Sequence, residues 1–378
     1  MYISYKNRRN GKIVTRFSIV TTQKNQKELE KRMSCFNYLY EKAVQLLESE
    51  DISANYRTEF RVKKNNSRRR IDIPNDDLMK YQREVVEIFS NKLNLLFPNT
   101  VFGYVKGRNA KMLAEGHKNQ YQIIKLDIKD FFPSCTFEFI MNSMSRVYPF
   151  CLLSKELIET ILKPCMIFYD GKYRLPQGAP TSPILANIAM IPLDYELEME
   201  CIYNGYKYSR FADDIIISHG LFYDKSGVDA EKRLLTAIFG ELIEEKEMPI
   251  KDIRTIAKKM INTIVKILKE ENPEFELNKE KTKVLNTDCG NIWMLGVTVG
   301  CDVKIGNKKK QRFKASIWSF LNDCKKSKPW NVDETRHLMG IIGYYKFIEP
   351  DFVNQIISKY EQKTGLDFRR EVKKILCM

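Results

Sequence analysis

The stretch Tyr208-Ser209-Arg210-Phe211-Ala212-Asp213-Asp214-Ile215-Ile216-Ile217 constrains the chain more than any other. Two adjacent carboxylates sit between two β-type apolar runs. The pattern predicts strand, tight turn and strand, with the acids at the tip. Neighbouring acids repel, so a fold that keeps both ionised supplies a cation. A hard divalent cation with oxygen ligands is the natural partner. The competing interpretation is a solvated Asp-Asp turn, and the rest of the chain decides between them.

At 378 residues the chain can bury a large core and is expected to split into subdomains. Its net charge of +15 points to a polyanionic partner, nucleic acid or a membrane surface. No apolar run is long enough to span a bilayer, so no membrane span is expected, and no membrane is expected among the partners. Met1-Tyr2-Ile3-Ser4-Tyr5-Lys6 has no apolar signal core, and a cytoplasmic location is expected. The nine cysteines form no Cys-x-x-Cys pair, which argues against a zinc site or a disulfide framework. Three histidines and no Gly-x-Ser-x-Gly elbow leave little for His-based metal or nucleophile chemistry.

Residues 1–25 read as basic and irregular. Leu29, Met33, Phe36, Tyr40, Ala43 and Leu47 recur at helical spacing and predict a helix over 26–50. Residues 61–74 predict a hairpin with a basic tip, turned at Asn65-Asn66-Ser67 and ended by Pro74. A second helix is expected from Asp77 to Leu96. Phe102-Gly103-Tyr104-Val105-Lys106-Gly107-Arg108-Asn109 is a Gly-broken basic loop whose aromatics suit a single strand, or an ordinary turn. Gln122 to Ile128 reads as a strand, and a short helix is expected over 136–148. In the loop from Arg174 to Pro183, Ser182 suits an N-cap and Pro183 a first helical position. The helix that follows is expected to run to about Glu200. Two amphipathic helices, 229–245 and 251–270, should come after the Asp-Asp hairpin. Trp293 to Val299 reads as a strand and Lys308-Lys309-Lys310-Gln311-Arg312 as a basic hinge. Residues 313–378 read as helical, with Asn331-x-x-Glu334 as a cap.

Asp127 ends the upstream strand, and three carboxylates on neighbouring strand ends can hold two Mg²⁺ ions for in-line phosphoryl transfer. With that, a family resemblance emerges. Lys125-Leu126-Asp127-Ile128-Lys129-Asp130-Phe131-Phe132-Pro133-Ser134 resembles the first palm motif of the reverse transcriptases, in their bacterial retron-like and group II intron-like branch. Leu175-Pro176-Gln177-Gly178-Ala179-Pro180-Thr181-Ser182-Pro183 resembles the second. Arg210-Phe211-Ala212-Asp213-Asp214 resembles the third, with Phe211 where Tyr is usual. Leu277-Asn278-x-x-Lys281-Thr282 and Leu295-Gly296-Val297-Thr298 resemble the fourth and fifth. Arg69 to Pro74 and Gly103 to Arg108 resemble the finger motifs, so the resemblance covers roughly 60–350 in family order.

The resemblance implies an α+β right-hand polymerase with an antiparallel palm sheet backed by helices. Fingers would occupy 1–115, the palm 116–306 with a helical insertion at about 220–275, and a helical thumb 307–378. Asp127, Asp213 and Asp214, with the Ile128 carbonyl, would bind two Mg²⁺ ions, or Mn²⁺. Lys281 would lie near the pyrophosphate. Arg69 or Arg70 would reach the triphosphate. Gln177 and Gly178 would line nucleotide and template beside Phe131 and Phe132. Phe132, five residues after Asp127, would crowd a ribose 2′-OH and so select dNTPs. Lys106, Arg108, Lys308, Lys309, Lys310 and Arg312 would track a nucleic-acid backbone.

Two positions depart from the retron pattern. Leu113-Ala114-Glu115-Gly116-His117 stands where Asn-Ala-x-x-His is usual, and Val297-Thr298-Val299 where Val-Thr-Gly is usual. The expected activity is RNA-directed DNA polymerisation on a cognate structured non-coding RNA, giving a DNA product in antiphage defence. A partner protein or a homo-oligomer would be compatible. The alternatives are protein-primed or template-independent DNA synthesis, and a non-catalytic, maturase-like RNA-binding scaffold.

Overall fold

The alternation predicted around Asp213-Asp214 becomes two paired strands in the computed structural model. It describes residues 2–6, 13–17, 23–49, 55–62, 66, 68–93, 95–220, 253–286, 292–328 and 330–377. Strands β8 (Lys207–Phe211) and β9 (Asp214–His219) are antiparallel, and β9 also pairs antiparallel with β5 (Gln122–Asp127). With β10 (Lys283–Asn286) they form a four-stranded sheet in the order β10-β5-β9-β8. The chain divides into two compact units, Met1–Asn109 with Gln122–Val284, and Ala110–Tyr121 with Leu285–Met378.

In the first unit the helix α7 (Ser182–Tyr203) is buried nearly all round, which explains its lack of a polar face. Helices α1 (Gln23–Ser49), α2 (Asp76–Glu87), α5 (Phe137–Met144), α6 (Lys155–Leu162) and α8 (Ile253–Glu271) contribute to the same core. Phe36, Phe89 and Phe150 meet edge to face there, with centroids 5.2–6.3 Å apart. The hairpin β3 (Tyr56–Val62) and β4 (Arg68–Pro74) projects its arginines, and β6 (Ile167–Tyr169) pairs with β7 (Lys172–Arg174). A one-turn helix, α4 (Phe131–Ser134), follows β5.

In the second unit α3 (Ala110–Gly116) accompanies the small sheet β11 (Ile292–Met294), β12 (Val297–Val299) and β13 (Val303–Lys304). Helices α9 (Asn307–Lys325), α10 (Val332–Ile348), α11 (Pro350–Thr364) and α12 (Phe368–Leu376) enclose their own core of Phe313, Phe320, Leu338, Val353 and Phe368. The Asn331–Glu334 capping box forms as expected.

Several expectations need correction. The N-terminal stretch is not irregular: β1 (Tyr2–Lys6) and β2 (Ile13–Phe17) pair in register Tyr2↔Phe17. β-branched and aromatic residues override the basic composition there. The second helix leaves α geometry after Glu87 and widens into a π-turn at Ile88–Lys92. Thr181, not Ser182, occupies the N-cap of α7, because the Ser182 hydroxyl donates to the Pro176 carbonyl at 2.6 Å. The strand expected over Trp293–Val299 is split by a turn at Leu295-Gly296. Residues 308–312 are the first turns of α9 rather than a hinge. The helix expected over 229–245, and Asn65 and Ser67 of the finger tip, lie outside the described residues.

Candidate active site

The sheet register gathers the acids. Asp127 is the last residue of β5 and sits directly across from Asp214, the first of β9. Phe211 pairs with Asp214, so Ala212-Asp213 is a two-residue hairpin loop, with Ala212 at φ +58°. The Ile128 N–H donates to the Asp213 carbonyl at 3.0 Å, which ties the loop to the end of β5. Residues 276–282 wrap the same strand end. Lys129 N–H donates to Glu276 O and Asn278 N–H to Asp127 O, both at 2.8 Å. The Thr282 hydroxyl donates to Asn278 O at 2.9 Å, and the resulting turn lays Lys281 Nζ 2.7 Å from Asp127 Oδ2.

Burial and mutual repulsion dominate the electrostatics of the acids. Burial, then repulsion from Asp213 and Asp127, pushes the Asp214 carboxyl up to about 6, against the pull of Lys125 and Lys281. Burial also raises Asp213, with Asp127 adding to it and Lys281 and Arg69 opposing. The hydrogen bond to Asp127 raises Lys281. Burial lowers Lys125, with Asp214 and Asp127 opposing. A set of aspartate oxygens suits a hard divalent cation. Among the described residues, however, no three acidic, His or Cys side chains close on one point as a preformed cage. The charge on Asp127 is met here by Lys281. The donor chemistry fits divalent metal.

The finger arginines separate. Arg70 Nε donates to the buried Asp72 at 2.7 Å, and its guanidinium stacks 4.3 Å from the Tyr169 ring centroid. Arg69 is exposed, on the opposite face of β4, and its field reaches Asp213. The Gln177 carbonyl accepts from Asp72 N–H at 2.6 Å, docking the 175–181 loop on β4. Gly178, at φ +123°, is required there, since a Cβ would lie 2.9 Å from Ile71 Cγ2. Phe131 is buried against Phe275, while Phe132 is half-buried, 6.2 Å from the ring of Tyr104.

Among the expected backbone-binding cations, Lys106 is exposed, but Arg108 turns inward to the carbonyls of Phe97, Pro98 and Val101. In the second unit Lys309 donates to Gly296 O at 3.0 Å and caps the Trp293 ring, and Lys310 pairs with Glu349 at 2.7 Å. Lys308 and Arg312 are exposed.

Sequence reasoning gave Tyr104 only a share in a stacking loop and assigned no role to Lys125. Tyr104 is 54% exposed, and its hydroxyl is raised by burial and by Asp213. The signal for Lys125 was its position two residues before Asp127 on a strand, which puts both on one face. Gly103 was also missed as a contact. The 100–103 segment runs along β8, with Arg210 N–H donating to Thr100 O and Phe102 N–H to Arg210 O, both at 2.9 Å.

An antiparallel sheet with Asp127 and Asp214 at its strand ends and Asp213 in the turn, backed by helices and flanked by a basic hairpin, is the architecture of a right-hand polymerase palm. The chain belongs to the reverse transcriptase (RNA-dependent DNA polymerase) family, whose model matches residues 62–314, more than half of the chain. It is similar to the retron Mx65 reverse transcriptase of Myxococcus xanthus, 28% identical over 302 residues, covering 77% of this chain and 61% of that protein. It is also similar to the retron Ec73 reverse transcriptase of Escherichia coli, 28% identical over 276 residues, covering 70% of this chain and 75% of that one. A solved apo telomerase from Candida tropicalis aligns with 99% of this chain and 67% of its own, at 12% identity and a TM-score of 0.45. Among the described residues no helix is long and apolar enough to cross a membrane.

Proposed function

We propose that this chain is a retron-type RNA-directed DNA polymerase that copies part of a cognate structured non-coding RNA into DNA from dNTPs, in antiphage defence. The observation that carries the proposal is the register of Asp127 against Asp214, with Asp213 in the intervening turn and Lys281 on Asp127. Asp127, Asp213 and Asp214, with the Ile128 carbonyl, would hold two Mg²⁺ ions, for which Mn²⁺ could substitute. When bound, these would activate the primer 3′-hydroxyl and neutralise charge on the triphosphate. Lys281 would leave Asp127 to protonate the departing pyrophosphate. Gln177 and Gly178 would border the nascent base pair. Residues 1–115 would act as fingers, 116–306 as palm and 307–378 as thumb. The exposed Lys106, Lys308 and Arg312 would follow the hybrid backbone, and binding would weaken steeply with salt.

The test is to purify the protein with its bound RNA, supply Mg²⁺ and dNTPs, and sequence the product. DNA complementary to one co-purified RNA is expected. No DNA, or DNA unrelated to that RNA, would refute the proposal.

Arg69 is proposed as the triphosphate ligand, because Arg70 is committed to Asp72 and Tyr169. Arg69→Ala should raise the KM for dNTP about tenfold and leave the melting midpoint unchanged. Arg70→Ala should instead cost ~1–3 kcal/mol of stability, because it removes a charged partner from buried Asp72. The opposite pattern in steady-state kinetics and thermal melts would reverse the assignment.

Phe132 is proposed as the sugar gate, supported by its half-buried ring between Phe131 and Tyr104. Phe132→Ala is expected to raise rNTP relative to dNTP incorporation by roughly 10–200-fold, the range for removing a steric contact. An unchanged ratio in single-nucleotide extension would discard the gate.

A further inference from the structure

Beneath the Asp-Asp turn lies a buried charge network that the proposed chemistry does not use. Arg210 and Asp194 are both 0% exposed. Arg210 Nε donates to Asp194 Oδ1 at 2.7 Å and Nη2 to Oδ2 at 2.8 Å, a bidentate pair. The Tyr208 hydroxyl donates to the same Asp194 Oδ1 at 2.7 Å. The remaining nitrogen of Arg210, Nη1, donates to Asn187 Oδ1 at 3.1 Å and to the Ala212 carbonyl at 3.0 Å. Asn187 Nδ2 donates in turn to the Gly103 carbonyl at 2.7 Å.

The layout follows from periodicity. Tyr208 and Arg210 alternate on β8 and so share one face, while Asn187 and Asp194 lie seven apart, two turns along α7. Burying an ion pair is a poor way to gain stability, since desolvation consumes most of the attraction. What the pair does supply is direction. Ala212 holds a left-handed conformation, unfavourable for a residue with a side chain, immediately before the two acids. The guanidinium, oriented by Asp194, grips the carbonyl of that residue.

We propose that Asp194 and Arg210 are positioning residues: the pair fixes the Ala212 carbonyl and thereby the placement of Asp213 and Asp214. This rests on the proposed catalytic role of those two acids. Arg210 does not touch substrate, and its effect passes through the turn.

The experiment uses the full chain in single-nucleotide extension with dTTP on a poly(rA) template and oligo(dT) primer. The triple variant Asp194→Leu/Arg210→Met/Tyr208→Phe replaces the ion pair and its tyrosine with apolar groups of similar volume, a change that is often neutral or stabilising for buried pairs. It should melt near the wild-type temperature, bind template–primer with unchanged affinity and keep its KM for dTTP within threefold. Its kcat should fall about hundredfold, the effect of a misplacement on the order of 1 Å. A folded triple variant with kcat within threefold of wild type overturns the proposal. Asp213→Asn run alongside separates the two claims: if it stays inactive the catalytic reading stands alone, and if it stays active that reading falls first.

If the triple variant does not fold, Arg210→Lys decides. A single ammonium keeps the charge against Asp194 but cannot span both Asp194 and Ala212. A folded Arg210→Lys protein with depressed kcat and unchanged KM supports the proposal, and one with wild-type kcat overturns it. Unfolding of both variants assigns the network to the core and also overturns it.

Discussion

Asp214→Asn is expected to lower DNA synthesis at least about a thousandfold, as loss of a principal electrostatic group in a phosphoryl-transfer site does, while making the metal-free protein more stable. The two effects have one cause. Asp214 is pushed up to about 6 from an ordinary 3.8 by burial and by Asp213 and Asp127. A carboxyl whose folded pKa is raised binds its proton more tightly when folded. Wild type therefore loses stability as pH climbs from about 4 through about 6, and asparagine, which never ionises, does not. The variant's advantage is complete above pH 6, at most ~3 kcal/mol at 1.36 kcal/mol per pKa unit. It vanishes below pH 4, where both side chains are neutral. Denaturant titrations across that range in EDTA measure it. A variant less stable than wild type at pH 7, or equally stable at pH 4 and 7, would mean that burial and the neighbouring acids do not raise Asp214.

Gly103→Ala is expected to inactivate the protein without altering any charged or hydrogen-bonding side chain. A methyl group at residue 103 would overlap the Ala212 nitrogen and come within 3.0 Å of the Phe211 carbonyl carbon. Both obstacles are backbone, in the loop that carries Asp213, so no side chain can swing aside. The turn must shift or the 100–103 segment must lift from β8, breaking the hydrogen bonds of Thr100 and Phe102 to Arg210. Overpacking of this kind costs ~1–3 kcal/mol. A displacement on the order of 1 Å at the acids costs about hundredfold in rate. The measurement is kcat beside the melting curve. Gly107→Ala, in open space at φ +79°, serves as a control that strains the same loop without touching the turn. Equal activity of the two variants would show that the close approach does not matter.

Neither effect follows from composition, and the reason is distance along the chain. The sequence determined what depends on local pattern and motif: the strand-turn-strand around Asp213-Asp214, the helix that begins around Ser182-Pro183, the helical tail with its Asn331 cap, and, through the motifs, the α+β right-hand class. It also pointed to Asp127, Lys281 and Phe132, because a polymerase motif specifies residue type and order. It misread the N-terminal hairpin, the π-turn after Glu87 and the start of α9, where tertiary packing and β propensity outweigh charge. The tertiary structure alone decided which of two adjacent arginines is committed to Asp72 and Tyr169. Strand alternation sends Arg69 and Arg70 to opposite faces, and only the position of Asp72 and Tyr169 shows which face is which. It alone turned Arg108 inward and brought Gly103, Asn187, Asp194 and Arg210 under one turn. Those four lie as much as 107 residues apart in sequence, and no periodicity reports a hydrogen bond across that span.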